Sequence, residues 1–125
     1  MIIQYIKRGN RANYPNVFKS SSPIGALVAF RENGIQYVGY SLLCPQDAQE
    51  KVEYRRRVKA VNHESHLKLK NGEIDSLVYE EPPAFFDKKD AVKRARAAAV
   101  PVNELRVPNR LSKKFNQFVN RLARA

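Results

Sequence analysis

The chain has no tryptophan, a single cysteine and, across positions 91–125, a single acidic residue. Each scarcity excludes something. One cysteine, Cys44, cannot form an intrachain disulfide, which agrees with a reducing compartment. It also rules out a cage built from several thiolates within this chain. Long hydrophobic runs are missing too. The longest, Ile24 to Phe30, is too short and too interrupted to cross a membrane. The N-terminus, Met1 to Arg8, carries its charge after its apolar residues, the reverse of a signal peptide. A cytoplasmic protein with no membrane partner is therefore expected. There is no internal repeat and no low-complexity tract.

What is present suits one folded unit. A chain of 125 residues with 43% hydrophobic content is expected to be a single domain, 1–125, with a real core. The formal net charge is +11. It is unevenly spread: residues 1–45 carry +4, residues 46–90 carry −1, and residues 91–125 carry +8. Such asymmetry argues for a localised basic patch and a polyanionic partner. Nucleic acid, DNA or RNA, and an acidic or nucleoprotein complex are the candidates.

The local pattern predicts an α+β fold, with a small antiparallel sheet and an N-terminal hairpin packed against C-terminal helices. Ile2 to Lys7 reads as a strand. Arg8 to Pro23 reads as a loop, with Arg8, Arg11 and Lys19 in it. Ala26 to Phe30 and Ile35 to Tyr40 flank Asn33-Gly34, the strongest hairpin signal in the chain. Pro45 and Asp47 mark a helix start, with Asp47 expected to cap it. Ala48 to about Val58 suits a helix, although Val52-Glu53-Tyr54 also suits a strand. Asn71-Gly72 suggests a second turn, joining strands around 66–70 and 74–79. Asp87 to Val100 reads as a helix with a small-residue stripe at Ala91, Val92, Ala95, Ala98 and Ala99, ended by Pro101. Leu111, Phe115, Phe118 and Leu122 lie on one face of a final helix. The expected core joins Leu27, Phe30, Val38 and Leu42 to Phe115, Phe118 and Leu122.

The candidate anion-binding residues follow from this layout. They are Lys89, Lys93, Arg94 and Arg96 on the first C-terminal helix, and Arg110, Lys113, Lys114 and Arg121 on the second, with Arg124 beyond them. Arg55 and Arg56 form a second cluster, with Arg57 and Lys59 beside it. Lysine and arginine neutralise phosphates and release counterions, so these residue types give sequence-independent affinity. A solvated helix face explains the apolar stripes equally well, but not the near absence of acids. Phe115 and Phe118 belong to the apolar face and read as core, not stacking platforms.

No residue is assigned a catalytic or metal role, and no cofactor is expected. His63 and His66 stand at a spacing that metal sites use, without a third ligand in a known pattern. Cys44 with either histidine as base makes a nucleophile in principle, but a lone cysteine after a strand is more often a small buried hydrophobe. The carboxylates Glu73, Asp75, Glu80 and Glu81 cluster in sequence, which does not make them converge.

Two resemblances add context. Gly25-Ala26-Leu27 and Tyr37-Val38-Gly39 resemble in spacing the paired motif of GIY-YIG nucleases. That resemblance implies roles for Tyr37, for Arg55 or Arg56, and for Glu64, Glu73 or Glu80 as metal ligand. Leu27 stands where that family has a tyrosine. More widely, MIIQYIKR at 1–8, GALVAF at 25–30, Val38 to Leu42 with Cys44 and Asp47, Phe86 to Lys89, Arg94 to Ala97, and Val107-Pro108 together resemble small accessory proteins of tailed bacteriophages. This implies action in a host bacterial cytoplasm, and makes residues 48–85 look like an insertion. The leading expectation is a non-enzymatic accessory protein that binds nucleic acid or a nucleoprotein complex. The alternatives are an inhibitor of a host defence or transcription complex and a metal-dependent nuclease.

Overall fold

A computed structural model describes residues 1–124, with the backbone alone at 123 and 124. The side chain of Arg124 lies outside the described residues. The elements run β1 (Ile2–Lys7), β2 (Pro23–Glu32), β3 (Ile35–Leu42), α1 (Pro45–Lys70), α2 (Lys88–Ala97), β4 (Val100–Pro101) and α3 (Asn109–Arg124). The fold is α+β. The chain divides into two compact units. Of the described residues, one holds 1–10, 18–43 and 86–124; the other holds 11–17 and 44–85.

In the first unit the four strands form an antiparallel sheet in the order β1-β2-β3-β4. The β2–β3 hairpin closes through Asn33 and Gly34, both at positive φ (53° and 78°). That is the two-residue turn whose twist matches the flanking strands. Alternation along the strands separates two faces. Tyr5, Ala26, Val28, Gly39 and Ser41 share one face, because Tyr5 pairs with Ala26 and Ala26 with Ser41. Gln4, Leu27, Ala29, Val38 and Leu42 share the other.

The helix α2 covers the first face over β2 and β3. Asp87 caps it by accepting from the Asp90 amide at 3.1 Å. Its small residues Ala91 and Ala95 are buried, and the Ser41 hydroxyl donates to the Ala91 carbonyl at 2.7 Å. Gly39 has no side chain where α2 passes; a Cβ there would run into the Ala95 carbonyl oxygen. On the second face α3 is attached through Arg121, which donates to Gln4 at 2.7 Å, and α3 buries Leu111 and Phe118. The two C-terminal helices therefore sit on opposite sides of the sheet. Leu27, Val38 and Phe118 are core as expected, whereas Phe30, Leu42, Phe115 and Leu122 are only half-buried.

Two boundaries near α2 differ from the sequence reading. The helix ends at Ala97, and Val100-Pro101 pairs as a short strand with Tyr37 and Val38. Proline fits there because β4 is an edge strand, where a missing donor is tolerated.

The second unit is dominated by α1. Its 26 residues include the 66–70 segment expected as a strand. Pro45 occupies its first turn, and the cap is Cys44, not Asp47: the Asp47 amide donates to the Cys44 sulfur at 3.4 Å. Cys44 is exposed, against the expectation of burial. Asn71-Gly72 is the helix stop, not a hairpin. Gly72 (φ 76°) donates to the Leu69 carbonyl, and Glu73 donates to the Lys68 carbonyl at 2.9 Å, a Schellman closure. Residues 74–79 form no strand. The segment instead returns along α1, where Asn62 donates to the Glu80 carbonyl, His66 meets the Tyr79 ring, and Arg55 lies over the Phe85 ring.

The packing of α2 on Gly39 gives a direct prediction. Gly39→Ala should lower the stability of the domain by about 1–3 kcal/mol, because the helix must shift to admit one methyl. A urea unfolding midpoint unchanged from wild type would contradict this contact.

Candidate polyanion interface

The regular helix of α2 sorts its cations by angle. Lys89, Lys93 and Arg96 stand four and then three residues apart, so they share one side of the helix. Lys88 precedes them on the same flank. Val92 lies among them and is half-buried. Opposite this side stand Met1 and β1, with Met1 and Ile3 exposed and Tyr5 half-buried. Together these residues and Ala97 line an open hollow of about 720 Å³. Its floor is largely apolar and its rim carries four cations.

Aromatic rings hold two of those cations in place. The Lys88 ammonium sits 5.0 Å from the centre of the Tyr5 ring, and the Phe86 ring meets Tyr5 edge-to-face at 6.4 Å. The Arg96 guanidinium lies 5.6 Å from the centre of Phe30, which is itself stacked on Tyr37 at 5.4 Å. A ring face attracts a cation by its quadrupole, worth about 0.5–1 kcal/mol at exposed sites. Both cations thus keep their outward donors available while their stems are anchored.

The other candidate residues are distributed elsewhere. Arg94 points away from the hollow and forms an ion pair with Asp90 at 2.9 Å. Both partners are exposed, so the pair contributes under about 1 kcal/mol. Arg110, Lys113, Lys114 and Arg121 are on α3, across the sheet from α2. Arg121 is engaged with Gln4, and Lys114 is half-buried. Arg55 and Arg56 lie on α1 in the second unit. Arg56 is exposed, while the Arg55 guanidinium is 4.4 Å from the centre of the Phe85 ring. The Arg55 Nε is buried without a hydrogen-bond partner, so the ring is the contact that compensates it.

The sheet thus separates two basic helices that the charge pattern alone places in one patch, and Lys88, Met1, Ile3 and Tyr5 join the α2 group only in the fold. The side-sharing of Lys89, Lys93 and Arg96 was available from helical spacing. Their proximity to the first strand was not, since about eighty residues intervene in the chain.

Leu27 is buried on one sheet face while Tyr37 is on the other, so these two positions of the nuclease resemblance do not line one surface. Among the described residues, no three His, Cys, Asp or Glu side chains are grouped to hold a metal ion. No helix among the described residues is long and apolar enough to cross a membrane. No family model matches the chain, and neither a curated protein nor a solved structure matches it.

Proposed function

We propose that this chain is a non-enzymatic accessory protein, of the kind found in tailed bacteriophages, that binds nucleic acid or a nucleoprotein complex electrostatically. The observation that carries the reading is the row Lys88, Lys89, Lys93 and Arg96 around the hollow beside β1. Four cations on one side of a ten-residue helix, with Asp90 paired to Arg94 and Asp87 engaged as the helix cap, make a compact positive surface. Phosphate oxygens are the ligands such a row fits. Two of the cations are pre-oriented by rings, which lowers the entropy lost on binding. The basic residues of α3 lie across the sheet and would supply a secondary contact.

This reading predicts the salt dependence of binding. Fluorescence anisotropy with a duplex of arbitrary sequence should give a log–log slope of affinity against salt of roughly −3 to −4, if each of the four cations neutralises one phosphate. Binding that is absent at low salt, or flat with salt, would sink the proposal. Lys89→Ala and Lys93→Ala should each reduce the magnitude of that slope by about one. Lys68→Ala and Lys70→Ala, in the last turn of α1 and outside the lining of the hollow, should leave it unchanged.

A second test separates the two helices. Lys113→Ala on α3 should weaken binding of a short duplex less than Lys93→Ala does, because a short rigid duplex follows one side of the sheet. Equal losses in the same anisotropy titration would mean that the anion wraps both faces.

A further inference from the structure

The strand β1 is the edge of the sheet: β2 lies on one side of it, and no described strand lies on the other. An edge strand presents backbone donors and acceptors that a further strand can take up. Proteins usually blunt such an edge with proline, charge or a bulge. Here the only irregularity falls at the end, between Ile6 and Lys7, and the stretch Ile2 to Ile6 has neither charge nor proline. Ile2 and Ile3 are 44% and 40% exposed. The hollow beside this edge therefore has the layout of a strand-addition groove, with an open backbone edge, an apolar floor and a basic helix as its wall.

One segment of the chain fits that groove. Residues 73–81 read Glu-Ile-Asp-Ser-Leu-Val-Tyr-Glu-Glu, a β-prone stretch with four acids and no base. They belong to no helix or strand. Val78 is 89% exposed, more than any other large apolar side chain described. Placed as a strand, Ile74, Val78 and Glu80 would share a face. Val78 would then meet the apolar floor at Ile3, with Glu80 beside the lysines. Nine residues are enough to span the six of β1.

We propose that residues 73–81 of one copy add as a strand to the β1 edge of a second copy, with the Glu80 carboxylate against the basic wall of Lys88, Lys89, Lys93 and Arg96. The strand character of 74–79, unused within one chain, is then satisfied between chains. This goes beyond the nucleic-acid reading, because it uses the backbone edge and needs no phosphate. Both draw on the same cations, so self-association and anion binding would compete.

Sedimentation velocity of the full chain, without nucleic acid and at physiological ionic strength, tests it. The expected result is a reversible species heavier than one chain, growing with concentration. Glu80→Lys combined with Glu81→Lys should abolish it, and so should Lys89→Glu combined with Lys93→Glu. All four residues are exposed, and circular dichroism checks that each variant is folded. Mixing the two monomeric variants should restore association, since the reversed segment of one then faces the reversed groove of the other. A wild-type chain that stays monomeric at its highest soluble concentration overturns the proposal. So does association that survives either reversal, or a mixture that stays monomeric. Failure of duplex binding leaves these outcomes untouched, so the two readings can fail separately.

Discussion

The close approach of α2 to Gly39 governs the arrangement of the first unit. Only a residue without a side chain lets the helix backbone come so near the strand, and Ala91 and Ala95 keep the facing side of α2 equally thin. The hydrogen bond from Ser41 to the Ala91 carbonyl then fixes the helix along the strand. Small residues carry little apolar area, so this contact depends on fit more than on amount. Its consequence lies at the margin of the helix. With α2 seated over β2 and β3, the side chains of Met1 and Ile3 remain exposed, and Lys88, Lys89, Lys93 and Arg96 border the gap beside them.

The positive charge of the last third does not act as one patch. The sheet divides it, with one group of cations on α2 and another on α3. Within each group the neighbours decide what a charge can do. Asp90 engages Arg94, Gln4 engages Arg121, and rings hold Lys88 and Arg96. In the second unit the Phe85 ring does the same for Arg55. A cation over an aromatic ring is both a packing element and a charge, so exposure alone does not measure its readiness for an anion. The acidic stretch 73–81 remains the counterweight, and its chemistry is complementary to the basic groove.

Local signals were most legible where a single conformation explains them. Asn33-Gly34 between β-rich stretches admits little except a hairpin. The same dipeptide at 71–72 misled, because left-handed geometry serves both a tight hairpin and a helix stop. The second half of α1 was hidden for a related reason. It is exposed nearly all round, so no apolar period marks it as a helix. Its helical residues and its Schellman end sustain it, together with the contacts of Asn62, His66 and Arg55 to the returning chain. The capping role of Cys44 had no sequence signal, since sulfur is a weak acceptor and Asp47 was the stronger candidate.

By itself the sequence determined the α+β class, the first hairpin, the final amphipathic helix and the lopsided charge, because each rests on local propensity or on a count of residues. It even contained a sign of two-sided burial: the unbroken apolar run Ala26 to Phe30 is what a strand covered on both faces looks like. Only the tertiary structure decided which cations stand together. That choice turns on which side of the sheet each helix occupies, and so on contacts such as Gly39 with Ala95 and Arg121 with Gln4. These join residues more than fifty positions apart, and no local pattern encodes a distance across the fold.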